Sequence, residues 1–298
     1  MSSLLDLKLL LNRVTSMADV DLEQAKHIVD TIAIPPQPAA LTETLAIVNS
    51  NDPDLSQIAE IISKDVALSA AVFKTINSPF FGIRREISSI QQATMLLGMK
   101  NVVNIVTGIS LRMSMENNKG GELNLGRFWD TASDTALVCT NLAKAMGSAV
   151  KDDAYMFGLF HDCGIPLMQQ KYPDYFEVLK RANSEPDKDF TDIEEEYYDT
   201  NHATVGYMVA KSWKLPQPIC QAILSHHSID VLKESGNVAT LIAMLHMAEH
   251  ISHSKRRLSQ DLRWELIKEA VLENLLIDEQ EYEELKEDVS DMLDQVEG

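Results

Sequence analysis

The chain has 298 residues, 45% of them hydrophobic, and a formal net charge of −19. That length can bury one large core or two smaller lobes, while the charge argues against direct contact with nucleic-acid phosphates or anionic membrane surfaces. Only 12 glycines and 10 prolines are present, few for a turn-rich β protein, and the prominent residues favour helix. Leu4, Leu7, Leu11 and Val14 share one face and predict an opening amphipathic helix. A second helix over Asp21 to Ala33 stops at Ile34-Pro35-Pro36-Gln37-Pro38, where the prolines force extended or turn geometry. Asp54-Leu55-Ser56-Gln57 has the form of a capping box, and Ile58, Ile61, Ile62 and Val66 keep helical spacing behind it. The next helix runs from about Ala67 to Ile76 and closes at Asn77-Ser78-Pro79. Ser88-Ser89-Ile90-Gln91 is another cap, and Gly98 stands where a left-handed residue would end that helix. A new helix begins near Lys100, and its apolar run from Val102 to Leu111 is too short to span a bilayer.

Asn117-Asn118-Lys119-Gly120-Gly121 is the natural place to divide the chain, giving lobes over 1–118 and 122–298. The second lobe reads as helices over about Arg127 to Met146, Asp152 to Gln170, Asp174 to Ala182, His202 to Trp213, Pro218 to His226, Val238 to His253 and Asp261 to Leu275. Ser184 to Phe190 reads as a loop. From Asp278 to Glu297 there are ten carboxylates and one lysine, yet Leu285, Val289, Met292, Leu293 and Val296 hold helical spacing. This predicts a docked amphipathic helix with a solvated acidic face. The fold class expected is therefore all-α, a two-lobed helical bundle. Cys139, Cys163 and Cys220 form no C-x-x-C pair, and their odd number suits reduced core thiols in a cytoplasmic protein.

The chemistry-bearing residues are His161-Asp162, His202, His226-His227 and Glu249. Neighbouring residues on a helix point about 100° apart, so a tandem His-Asp can offer two donors, with the carboxylate able to bridge. Imidazole and carboxylate suit iron, manganese, zinc and similar divalent ions. Phe157-Gly158-Leu159-Phe160-His161-Asp162-Cys163-Gly164 resembles the dyad signature of the HD phosphohydrolase superfamily. His202 through Gly206, Trp213, Leu215-Pro216 and Ala222-Ile223 to His226-His227 resemble the part that follows. Ile34-Pro35 and Pro38, Asp52-Pro53-Asp54, Ile61-Ile62 with Asp65, Asn77-Ser78-Pro79-Phe80-Phe81 and Ile87 to Gly98 resemble the N-terminal half of HDOD domains. The resemblance covers roughly residues 20–230. It implies an all-α, two-lobed module, generally regulatory in bacterial signalling and commonly without demonstrated hydrolysis.

Three departures from the catalytic pattern stand out. Thr131, in Phe128-Trp129-Asp130-Thr131-Ala132-Ser133, occupies the place of a first metal-binding histidine. Ile165 and Pro166 stand where active relatives place a phosphate-favouring lysine, and Glu249 replaces a final aspartate ligand. Asp130 or Asp134 could substitute for the missing histidine. The resemblance thus implies metal donors His161, Asp162, His202, His226, His227 and Glu249, holding one divalent ion (Fe, Mn or Zn) or none. The expected function is a non-catalytic signalling module that binds a protein partner or small ligand, not nucleic acid or membrane. The alternative is a metal-dependent phosphohydrolase or phosphodiesterase acting on a nucleotide or cyclic dinucleotide, with Asp162 as its catalytic residue. His246, His250 and His253 read as a polar helix face near the surface, and Trp129, Trp213 and Trp264 as core aromatics. Met95, Met99, Met113 and Met115 read as ordinary core packing.

Overall fold

A computed structural model describes residues 31–78, 83, 87–116, 123–185, 188–256 and 262–297. Among them every regular element is helical, so the all-α expectation holds. The Leu4 to Val14 helix, most of the Asp21 to Ala33 helix, Pro79-Phe80-Phe81 and the loop proposed as a lobe boundary lie outside the described residues.

Helices α1 (Ala39–Val48), α2 (Leu55–Lys64) and α3 (Val66–Ile76) follow one another closely, and each lies against α4 (Ile90–Glu116). The Asp54 carboxylate accepts the Ser56 N–H at 2.7 Å and also binds Gln57 Nε2 at 3.3 Å. Gln57 therefore supports the capping side chain rather than the backbone behind it, and the capping box is half formed. Asp65 caps α3 by accepting the Leu68 N–H at 3.0 Å. The cap of α4 is Ser89, one residue later than the Ser88 to Gln91 pattern predicts.

Gly98 interrupts α4 with φ 76° and ψ 162°. This is a break, as expected, but not the left-handed cap: positive φ with extended ψ is a region only glycine enters freely. The helical stretch Ile90–Met115 is longer than the apolar run suggested, and by length and hydropathy alone it could cross a membrane. Its apolar window is, however, 61% buried, with α1 to α3 and α6 packed against it. Val102, Ile105 and Val106 are buried there, each worth about 1.5–3 kcal/mol. Met115 is buried with them, whereas Met95 is 66% exposed and so departs from the core reading.

The second half is built on the pairing of α5 (Leu125–Ala145) with α6 (Lys151–Phe160). Gly158 permits their close approach, since a Cβ there would come within 2.7 Å of the Ala136 Cα. Then come α7 (Gly164–Lys171), α8 (Tyr175–Ser184), α9 (Phe190–Tyr198), α10 (His202–Ser212) and α11 (Gln217–Ser225). A 3-10 turn (Ile229–Lys233) leads into α12 (Asn237–Arg256), α13 (Leu262–Leu275) and α14 (Glu279–Glu297). Two elements differ from expectation. The helix read over Asp152 to Gln170 is broken by a turn at residues 161–163, and α9 lies where no helix was assigned.

On α14, Tyr282, Val289 and Leu293 are buried and the helix packs on α12 and α5, while its carboxylates stay largely exposed. All three tryptophans are buried. Trp213 Nε1 donates to the Pro35 carbonyl at 2.8 Å, and Gln37 Nε2 donates to the Trp213 carbonyl at 3.2 Å. These bonds fasten the proline-rich segment to the end of α10. The three cysteines are buried and unpaired with one another.

Candidate metal centre

The dyad sits in the turn between α6 and α7. His161 continues the last turn of α6 through its N–H to the Phe157 carbonyl at 2.9 Å, and the Asp162 carbonyl accepts the Ile165 N–H that opens α7 at 2.9 Å. Gly164 makes the turn fit, because a Cβ there would overlap the carbonyl of His202. The dyad thus lies directly against the start of α10. It does not lie within a continuous helix, as the sequence reading had it.

All six expected donors come together around Asp162. Asp162 Oδ1 lies 3.3 Å from His202 Nε2 and 3.4 Å from His226 Nε2. His202 Nε2 also lies 3.3 Å from His226 Nε2 and 3.0 Å from His227 Nε2. On the other side, Asp162 Oδ2 lies 3.1 Å from His161 Nε2, and Glu249 Oε1 lies 3.4 Å from that same nitrogen. The donors form two overlapping groups, Asp162–His202–His226–His227 and His161–Asp162–Glu249, that share Asp162.

Three imidazole orientations are fixed from behind. His161 Nδ1 donates to the Gly158 carbonyl and His226 Nδ1 to the Ile223 carbonyl, both at 2.7 Å. His202 Nδ1 donates to Glu194 Oε2 at 2.7 Å. Each therefore turns Nε2 towards Asp162. His202 Nε2 faces two other Nε2 atoms and one carboxylate oxygen, and a single proton on it can satisfy one of these neighbours at a time. A cation satisfies all of them together. Metal–nitrogen bonds of about 2.1 Å place adjacent donors about 3.0 Å apart at octahedral angles and about 3.4 Å apart at tetrahedral angles. Four of the six separations in the His202 group span that interval and all lie within 4.8 Å, so the donor set fits a divalent metal ion.

The charges are arranged accordingly. Burial opposes ionisation of His202, yet Glu194 and Asp162 hold its pKa up at about 10. Burial likewise opposes His161, but Asp162 and Glu249 raise it well above the ordinary histidine range. Burial and neighbouring imidazoles hold His226 down and His227 well down. Despite burial, the histidines around them hold Asp162 and Glu249 below the usual carboxylate range.

The centre opens into a cavity of about 650 Å³, lined only by residues between 123 and 267. Thr131, Ile165 and Glu249, from the three departures from the catalytic pattern, all line it. Asp130 and Asp134 do not. Asp130 is 3.0 Å from Arg112, so it does not stand in for the missing histidine. His246 is buried rather than a surface residue, its Nδ1 3.6 Å from Glu249 Oε2, and its ring also lines the cavity. His250 stacks on Trp264 with ring centroids 4.5 Å apart. Sequence reasoning missed Glu194, which is fully buried behind His202, and Phe190, whose ring stacks on His227.

Known proteins place this architecture. A crystal structure of a candidate phosphohydrolase from Shewanella amazonensis SB2B superposes with a TM-score of 0.70 at 24% identity, covering 91% of this chain and 94% of that one. An HDOD domain protein of unknown function from Geobacter sulfurreducens superposes at 0.68 and 23% identity, covering 90% and 96%. In sequence, an uncharacterized protein of Treponema pallidum (strain Nichols) is 29% identical over 197 residues, 66% of this chain; the match spans only 38% of that relative's length. Residues 34–229 match the HDOD domain, the stretch that holds the proline segment, α1 to α11 and five of the six donors. On that match, which covers well over half of its length, the chain belongs to the HDOD domain family.

Proposed function

We propose that this protein is a regulatory HDOD module whose HD-type centre binds one divalent ion, iron, manganese or zinc, and does not hydrolyse phosphate esters. One observation carries the reading: the His202–His226–His227–Asp162 group is complete, whereas Thr131 and Ile165 line the cavity beside the His161 group. A threonine hydroxyl is a poor neutral donor beside imidazole, and isoleucine cannot attract a phosphate anion. Bound at the complete group, the ion would supply fixed positive charge at the floor of the cavity. Asp162 and the three imidazoles would hold it, and the apolar side chains of Ile165 and Phe190 would limit water around it. In this reading the module acts in the cytoplasm, through a small ligand in the cavity or a protein partner, and its chain divides into lobes over 1–118 and 122–298.

The second reading, a metal-dependent phosphohydrolase acting on a nucleotide or cyclic dinucleotide, is favoured by the His161–Asp162–Glu249 group. Two ions, held by the two groups with Asp162 common to both, would supply the chemistry that activates water against a phosphate. A panel of phosphomonoesters, nucleotides and cyclic dinucleotides, assayed after reconstitution with each metal, separates the two. The regulatory reading expects background rates. Enzyme-like turnover that is lost in Asp162→Ala overturns it.

A further inference from the structure

Glu194 is a fully buried carboxylate outside the donor groups. A carboxylate in that position is costly unless its oxygens are satisfied. Among the described residues no lysine or arginine pairs with it. Its partners are the Tyr175 hydroxyl, which donates to Oε1, and the His202 backbone N–H and Nδ1–H, which donate to Oε2 at 3.1 and 2.7 Å. Tyr175 is itself fully buried. His202 is thus the one donor of its group backed by a carboxylate; His226 is backed by a backbone carbonyl. A carboxylate behind a ligating imidazole fixes its tautomer and makes its free nitrogen a stronger donor.

The same helix makes a second contact with the group. Phe190, one turn before Glu194 on α9, stacks on His227 with ring centroids 5.2 Å apart and an interplanar angle of 8°, and meets His202 edge-on at 5.3 Å. Beyond their own pairing, α8 and α9 pack chiefly on α7 and the start of α10. The hairpin's hold on the body thus includes its contact with the donors, beside the ion pair of Asp189 with Arg263 at 3.3 Å and the stack of Tyr198 on Tyr172.

We propose that Glu194, backed by Tyr175, is the positioning residue of the metal centre: it holds His202 ready for the ion and ties the α8–α9 hairpin to the ion's presence. This rests on the reading that the His202 group binds a metal. It adds the element that carries occupancy to the surface.

The test uses the full chain in metal-free form, with zinc affinity measured by chelator competition and backbone hydrogen exchange followed with and without zinc. Glu194→Gln, which keeps an acceptor but removes the charge, is expected to bind zinc 10- to 100-fold more weakly, with Tyr175→Phe weakened less. Zinc is expected to slow exchange in α9 of the wild type at least fivefold and to leave α14 unchanged. A purely structural role would lower the melting temperature of the metal-free variants and leave their zinc affinity alone. Zinc affinity within twofold of wild type in folded Glu194→Gln overturns the proposal. If that variant does not fold, unchanged affinity in Tyr175→Phe together with unprotected α9 in the wild type overturns it. Wild-type protein that takes up no zinc, iron or manganese instead overturns the metal reading beneath it.

Discussion

The Nε2 atoms of His202 and His227 lie 3.0 Å apart. His202 is held from behind by Glu194, and the face of the His227 ring stacks on Phe190. Without an ion, the proton on His202 Nε2 can serve only one of His227, His226 and Asp162. The His202 pKa stands at about 10, above its ordinary value, and that of His227 lies well below. At neutral pH the binding of an ion would therefore require loss of the His202 proton, whereas His227 would offer its nitrogen without one. Metal affinity should rise about tenfold per pH unit between pH 6.5 and 8.5. Zinc titrations at several pH values with a competing chelator check this; a flat profile contradicts it.

Asp162 is the charge both donor groups share. Its folded pKa is depressed, so its contribution to stability is present above the unfolded value of about 3.9 and is lost as pH falls through the folded value. Asp162→Asn should abolish metal binding and, in the metal-free state at pH 7, cost about 3 kcal/mol. The difference between variant and wild type should shrink below pH 4. Urea denaturation at pH 7 and pH 3.5 reads both effects.

Thr131 lines the cavity with His161, Asp162 and Glu249. Thr131→His should supply the missing donor and raise the metal content from one ion to two per chain. Elemental analysis after reconstitution measures this directly. A variant that folds and still holds one ion would show that Thr131 is not the position where the second site was lost.

The contact between Gly164 and the His202 carbonyl leaves no room for a methyl group. Gly164→Ala should therefore push the dyad turn away from α10. The expected cost is about 1–3 kcal/mol with weaker metal binding. Thermal denaturation and chelator competition on the same sample test whether the two losses travel together.

Much of this was legible in the sequence because the donors sit in short, contiguous patterns. Phe157 to Gly164 and Ala222 to His227 announce their chemistry without knowledge of the packing, and the departure at Thr131 is visible in the same way. The turn at residues 161–163 did leave a signal, Gly164 and then Pro166 in the first turn of α7, which the reading of one helix over Asp152 to Gln170 passed over; what the sequence could not show is that Gly164 packs against the carbonyl of His202, 38 residues away. Glu194 was hidden by its surroundings. It lies in Asp192-Ile193-Glu194-Glu195-Glu196, which reads as a solvated acidic face, and only the packing shows that Glu194 is buried while Glu195 and Glu196 are exposed. His246 was misplaced for a similar cause: its spacing with His250 and His253 suggests a polar face, but α13 and α5 cover that side of α12.

The most direct test is the metal stoichiometry of the wild-type chain, measured by elemental analysis after metal-free protein is reconstituted with iron, manganese or zinc and freed of excess. The account predicts one ion per chain, lost in His202→Ala. Two ions per chain, or none with any of the three metals, would contradict it.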